Sequence, residues 1–223
     1  MHRFLDIIIS SIALLFLLPL LATCIFILRY TGEKEVFFLQ KRIGINRKSF
    51  YVYKFATMVK NSENIGAGTL TLKNDSRVLP FGKFLRKTKM NELPQLFNIL
   101  KGDMSIIGPR PLVPEGEANY TKEVSKKIRS LRPGATGIGS LILRDEESYY
   151  AHREDAHNFY RKIISPYKGM LEVWYIENRS TAVNFKIFVL TIIVILFPKF
   201  NPLNFFKNIP EMPKEMILSK IPN

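Results

Sequence analysis

Residues 75–111 read DSRVLPFGKFLRKTKMNELPQLFNILKGDMSIIGPRP, and they decide the architecture. Asn91 and Glu92 open a pattern in which Leu93, Leu96, Phe97 and Leu100 recur at helical spacing. Asn is a good N-cap and Pro94 is tolerated in a first turn, so the spacing predicts a helix starting at Asn91. Arg77, Arg86, Lys87 and Lys89 lie just upstream, which makes that helix start a natural anion site. Gly108-Pro109-Arg110-Pro111 is a stiff turn that aims one arginine, and the guanidinium fork suits phosphate. Taken singly, each piece reads more simply as a capped core helix or a surface loop.

The whole chain has 223 residues, enough for one domain with a sizeable core. Lys plus Arg is 33 against 19 Asp plus Glu, a net charge of +14. Hydrophobic residues make up 47%, which excludes disorder as the main description. A basic, apolar chain has two usual partners, nucleic acid or an anionic membrane surface. Cys24, the single cysteine, excludes an internal disulfide framework and a cysteine-rich zinc site.

Upstream, no side chain from Ile7 to Leu28 is charged, and a bilayer needs about 20 apolar residues. Three readings compete. A cleaved signal segment fits poorly, because Thr23 before Cys24 is large for a lipoprotein box and the apolar run continues beyond it. A simple spanning helix is opposed by Pro19 in mid-run, which removes a backbone hydrogen bond. Broken at Pro19, the segment enters and leaves on one side, and Arg3, Arg29 and Lys34 on its flanks favour both ends staying cytoplasmic. Spanning helices also tolerate proline, so composition leaves spanning and re-entrant paths open.

Residues 29–60 form a basic collar: Arg29, Lys34, Lys41, Arg42, Arg47, Lys48, Lys54 and Lys60 against Glu33 and Glu35. Each such charge near an anionic leaflet contributes roughly 1 kcal/mol. Val36–Leu39 and Phe50–Phe55 flank the turn-like Gly44-Ile45-Asn46-Arg47, which predicts a β-hairpin. With no Cys/His finger or RNA-recognition motif visible, nucleic acid is not expected as a partner. A second apolar run, Ile187–Phe197, is too short to span and suits a core or interfacial element. Prolines 198, 202, 210, 213 and 222 predict an irregular tail over 198–223 that lies on the membrane. The expected architecture is α+β. A membrane segment covers 1–30, a mainly helical domain with the basic hairpin covers 31–197, and the tail follows.

Read together, these motifs resemble the bacterial sugar transferases, the monotopic phosphoglycosyl transferases. The resemblance rests on Asp75, Arg77, Gly82, Leu85, Arg86, residues 92–105 and 108–111. Gln40, Arg42, Gly44, Tyr53-Lys54-Phe55 and Thr57-Met58 support it upstream, and Arg132-Pro133-Gly134 and Thr136-Gly137 downstream. The matches extend over roughly residues 3–197. They include Arg144-Asp145-Glu146-Glu147, Pro166-Tyr167-Lys168-Gly169 and Trp174-Tyr175, which look like one branch of the family.

The resemblance implies a re-entrant N-terminal helix broken at Pro19, with Leu18 where the family usually has Ser. It implies transfer of a phosphosugar from a nucleotide diphosphosugar, typically UDP-linked, to polyprenyl phosphate. The implied location is the cytoplasmic face of the bacterial inner membrane, among membrane lipids, at the start of surface polysaccharide or glycan assembly. Mg2+ neutralises the phosphates, with Glu92 as its protein ligand, and Lys54, Arg77, Arg86, Arg110 and Arg132 hold substrate. The catalytic pair falls on Asn91 and Glu92, but the family's nucleophile is Asp where this chain has Asn91. An amide is uncharged and a poor nucleophile. The chain is thus an active transferase using Glu92, an altered copy of one, or a silent membrane-bound relative that binds nucleotide sugar or scaffolds a glycan pathway. Ile138–Leu143 also departs from the family pattern, Glu172 stands where Asp is frequent, and Asn184 replaces a frequent Asp. His152 and His157 lack the usual metal-ligand spacing and read as surface residues.

Overall fold

The computed structural model describes residues 3–66, 68, 70–71, 74–117, 119–150 and 153–219. The expectation for His152 therefore lies outside the described residues, while His157 is exposed as expected.

The chain opens with α1, Arg3–Tyr30, about 42 Å long at ~1.5 Å per residue and, among the described residues, the one helix long and apolar enough to cross a membrane. It runs on through Pro19, so the expected break is absent from the helix. Packing explains this. Asp6, Ser10, Leu21, Cys24 and Leu28 are buried, and Leu14 and Leu17 pack on the same core cluster. Spaced by threes and fours, these residues form one seam against the body, with Leu17 and Leu21 holding the chain in line on either side of Pro19. Phe4, Ile12, Leu15, Phe16, Leu18 and Phe26 remain exposed on the other faces.

The N-terminal turn of α1 is bolted to the body by polar groups. The Asp6 carboxylate is fully buried and accepts from Ser105 Oγ at 2.7 Å and the Ile106 N–H at 3.0 Å. The Arg3 guanidinium donates to the carbonyls of Ile99 and Leu100, at the end of the helix that follows the Asn91-Glu92 turn.

The expected hairpin forms as β1, Phe37–Ile43, antiparallel to β2, Ser49–Phe55, around a turn at Ile45–Arg47. Helix α2, Pro80–Lys87, crosses close behind it. A Cβ at Gly82 would stand 2.2 Å from the Thr57 carbonyl, so only glycine permits this approach.

Helix α3 spans Gln95–Lys101, not from Asn91, and Pro94 precedes it. Asn91 instead lies in a 3-10 turn, Met90–Glu92, entered through Lys89 at φ 60°, and its side chain caps nothing. The buried face of α3 is Gln95, Asn98 and Ile99, while Phe97 is exposed. The predicted apolar stripe is displaced because Asn98 pairs with backbone: its Nδ2 donates to Tyr51 O at 2.7 Å, and its Oδ1 accepts from Tyr53 N at 2.9 Å. These bonds fasten α3 across β2.

Strand β3, Ser105–Ile107, continues into the Gly108-Pro109-Arg110-Pro111 loop. After α4, Pro114–Glu117, and α5, Lys122–Ile128, strand β4, Gly134–Thr136, returns parallel to β3. The two loops interlock: Gly108 N–H donates to Thr136 O and Gly134 N–H to Pro109 O. A Cβ at Gly134 would lie 2.1 Å from Gly108 N, which explains the glycine in each motif.

Helix α6, Ile138–Ile142, and α7, Ala156–Phe159, lead through a π turn, Tyr160–Ile164, into α8, Ser165–Asn178. Pro166 has no N–H to return to the preceding turn, which accounts for the wide segment. The second apolar run lies in α9, Thr181–Leu196, capped by Ser180. It buries Ile187, Leu190 and Val194 and exposes Phe185, Ile192, Ile195 and Leu196, as a core element at an interface should. The chain beyond it is mostly irregular, as its prolines predict, with a short helix α10, Lys214–Ser219. It is nonetheless packed down. Phe206 and Met216 are buried, Trp174 meets Phe206 edge-on, and Tyr167 Oη donates to Pro210 O at 3.1 Å.

Candidate active site

The hairpin, the turn before α3, the Gly108–Pro111 loop and α6–α8 surround one cavity of about 2280 Å3. Asn91 and Glu92 lie in its wall with Lys54, Arg86, Lys89 and Arg110. Sequence reasoning thus placed five of its candidates, Asn91, Glu92, Lys54, Arg86 and Arg110, in one site.

Glu92 is its electrostatic centre. Its Oε2 accepts from Gln95 Nε2 at 3.0 Å, and its Oε1 stands 3.7 Å from Arg110 Nη2. Burial alone would raise its pKa, but Arg110, Lys54 and Lys89 outweigh that and hold it at about 2. Lys54 donates to Gln40 Oε1 at 3.3 Å, and burial, helped by Arg42, pulls its ammonium down to about 7. Burial also lowers Lys89. Arg110 donates to Ser140 Oγ at 3.3 Å, and Glu92 raises its pKa. At 3.7 Å from Glu92 most of its fork has no hydrogen-bonded acceptor among the described residues, so the guanidinium is placed to meet an incoming anion. Arg86 is held at the rim by Glu147 at 3.1 Å.

Two candidates lie elsewhere. Arg77 is buried on Asp75 at 2.6 Å, and it donates to the carbonyls of Ser62, Ile65, Gly68 and Leu70. Its guanidinium is spent shaping the 62–71 loop and lies outside the cavity wall. Arg132 is half-buried outside that wall, with its Nε unpartnered.

The structure adds residues the motifs did not nominate. Glu172 is buried, accepts weakly from Arg110 N at 3.4 Å, and is pushed up to about 7 by burial. Lys168 is buried against Glu146 at 2.7 Å, and this pair keeps Glu146 ionised. A charged residue at the spacing of an otherwise apolar helix face was the available signal for Lys168 and Glu172. Asn91 is buried, and its Oδ1 has no hydrogen-bond partner. Among the described residues no three His, Cys, Asp or Glu side chains converge as a metal cluster. A cavity in which Lys54, Arg86, Lys89 and Arg110 gather near the ionised Glu92 suits a polyanion.

A sequence model described as bacterial sugar transferase matches residues 1–198. The chain belongs to that family. It is 35% identical over 161 residues to the exopolysaccharide production protein ExoY of Rhizobium meliloti, covering 66% of this chain and 71% of ExoY. An uncharacterized sugar transferase of Haemophilus influenzae is 31% identical over 88% of this chain and 41% of its own length. A UDP-glucose:undecaprenyl-phosphate glucose-1-phosphate transferase of Xanthomonas campestris is 30% identical over 87% of this chain and 38% of its own length. The chain therefore spans only about two fifths of these last two relatives.

Proposed function

We propose that the chain is a sugar-1-phosphate transferase that moves a phosphosugar from a UDP-linked diphosphosugar to polyprenyl phosphate, opening the assembly of a surface polysaccharide or glycan. The observation that carries the reading is the convergence of Lys54, Arg86, Lys89 and Arg110 on Glu92 inside the cavity. Relatives named as undecaprenyl-phosphate sugar phosphotransferases support the acceptor class.

In this reading Arg110 and Lys54 grip the diphosphate, and Arg86 and Lys89 neutralise its outer oxygens. A carboxylate attacks the sugar-linked phosphorus, the bond to the nucleoside phosphate breaks, and nucleoside monophosphate leaves. An oxygen of polyprenyl phosphate then attacks the same phosphorus, which frees the carboxylate and yields a polyprenyl diphosphosugar. In the chain as it stands, Glu92 is the ionised carboxylate placed for this attack, since Glu146 is paired with Lys168 and Glu172 titrates near 7.

Asn91 Oδ1, buried and unpartnered, and the Glu92 carboxylate are oxygen donors that fit Mg2+ brought in on a diphosphate; the surrounding cations disfavour the metal alone. Bound there, Mg2+ would offset charge on the phosphate oxygens.

We place the reaction at the cytoplasmic face of the inner membrane, with the continuous helix α1 as a monotopic anchor packed against the domain. The support is the seam along α1: a helix packed on the body from Asp6 to Leu28 keeps its exposed apolar faces beside the domain, where lipid can cover them. The specific observation favouring the second reading, a silent relative that binds without turning over, is the neutral amide at Asn91. Release of nucleoside monophosphate from UDP-sugars with polyprenyl phosphate and Mg2+ present separates the two.

A further inference from the structure

The cavity is too large for its charged end. Pockets for small ligands and cofactors are about 300–1,000 Å3, whereas this one is about 2280 Å3. The remaining wall changes character. From Ser140 the lining passes Thr136 and Thr191, whose hydroxyls bond at 3.0 Å, and reaches Arg144, which donates to the Val194 carbonyl in the last turns of α9. The lining contributed by α9 and the C-terminal segment is mainly apolar, with Lys199 and Asn201 among it. Phe188, Ile192 and Ile195 of α9 form one side. Phe200, Met212 and Ile217 of the C-terminal segment are on the same lining. Ile192, Ile195 and Ile217 are also solvent-exposed, so this limb opens at the surface beside the exposed apolar face of α9.

We propose that this limb holds the hydrocarbon chain of an isoprenoid phosphate, with its phosphate near Arg144 and Lys89 at the junction with the charged site. This rests on the transferase reading above and specifies where its acceptor lies. Three observations favour that occupant. The limb is continuous with an anion site, so one ligand with an anionic head and a long apolar chain fits both parts. Arg144 lines the same cavity as Lys89 and uses its Nη1 on Val194 O, so a second cation stands where α9 meets the charged lining. The helix that supplies Ile192 and Ile195 also exposes Phe185 and Leu196, with Phe197 directly after it, an apolar surface suited to lipid from which a chain can enter. The wall over 199–217 lies beyond the family match at 1–198, so this half of the groove belongs to the chain's own C-terminal segment.

The test uses the full chain in phosphatidylcholine vesicles with a diazirine-bearing undecaprenyl phosphate. Photolabelled peptides should map to 188–195 and 200–217, and unlabelled undecaprenyl phosphate should compete. Ile195→Arg and Ile217→Arg alter exposed positions on the two sides of the mouth, so the fold is kept. Each should cut this labelling about ten-fold or more, because a charge replaces hydrocarbon contact. Flotation checks that the variants still bind vesicles. A diazirine phosphatidylcholine should label the exposed face of α1 equally in all three proteins. Phosphate-probe labelling confined to α1, or unchanged in both floating variants, overturns the groove. Binding of a UDP-sugar is measured separately: bound donor with no label in the limb sinks the groove alone, and a labelled limb with no donor binding sinks the transferase reading alone.

Discussion

Arg110→Ala removes the group best placed to grip a diphosphate. Among the described residues its guanidinium makes one side-chain hydrogen bond, to Ser140 at 3.3 Å, and stands 3.7 Å from Glu92. The fork therefore gives up little on turning to a phosphate. One charge-assisted bond contributes about 1.5–3 kcal/mol, so losing it should weaken UDP-sugar binding about 10- to 150-fold. Lys54 and Lys89 still hold Glu92 ionised at neutral pH, so the loss does not come from a protonated Glu92. Arg110→Lys keeps the charge without the fork and should recover only part of the affinity. Titration calorimetry of the detergent-solubilised proteins reads the effect, with thermal unfolding confirming that each variant is folded. Affinity within two-fold of the parent in a folded Arg110→Ala protein would remove this arginine from the site.

Lys54 titrates at about 7 in the free protein, and a bound diphosphate should lift it. Binding near pH 7.5 therefore takes up protons, and affinity falls as pH rises above 7; calorimetry in buffers of different ionisation enthalpy should show that uptake, and its absence places Lys54 outside the phosphate contact. Asp6→Ala leaves the Ser105 hydroxyl and the Ile106 N–H buried without their acceptor, at about 1–3 kcal/mol each, so denaturant unfolding in detergent should show a loss of a few kcal/mol. Lys168→Met strands Glu146, which keeps 27% side-chain exposure, so the destabilisation should fall below the ~3–5 kcal/mol of a fully buried pair. Cys24 is buried, so a cysteine added ahead of Met1 reports the side on which α1 begins; labelling by an impermeant reagent from the periplasm of intact cells would refute the monotopic anchor.

The hairpin was readable because β-branched and aromatic runs flank a turn whose residues permit positive φ, as Asn46 and Arg47 adopt. The charged site was readable because its residues sit in rigid local pieces. Gly108-Pro109-Arg110-Pro111 and Arg132-Pro133-Gly134 are short motifs whose glycines meet, although Arg132 itself lies outside the cavity lining. Arg77 was misplaced because a sequence does not reveal which carbonyls an arginine will find: the 62–71 loop folds around it. The buried face of α3 shifted because Asn98 pairs with the β2 backbone, and its start shifted because Asn91 and Glu92 lie in a separate 3-10 turn ahead of Pro94. The effect of Pro19 was likewise tertiary: a seam packed on both sides of it keeps α1 continuous. Glu172 and Lys168 needed the packing of α8 against the cavity before their charges acquired a purpose.

The most direct measurement is nucleoside monophosphate release from a panel of UDP-sugars, with undecaprenyl phosphate and Mg2+, by this chain and by Asn91→Asp. Intact-protein mass is recorded before the acceptor is added. Asp and Asn share a shape, and Lys54, Lys89 and Arg110 around Glu92 favour a second ionised carboxylate beside it. The account predicts release and lipid-linked product, sharply higher in Asn91→Asp, with a phosphosugar adduct on residue 91 of that variant only. Turnover by the parent at the rate of the variant would show that a carboxylate at residue 91 adds nothing to the attack by Glu92. No release from either protein with any sugar, while both bind one, would contradict the transferase account and leave a binding protein.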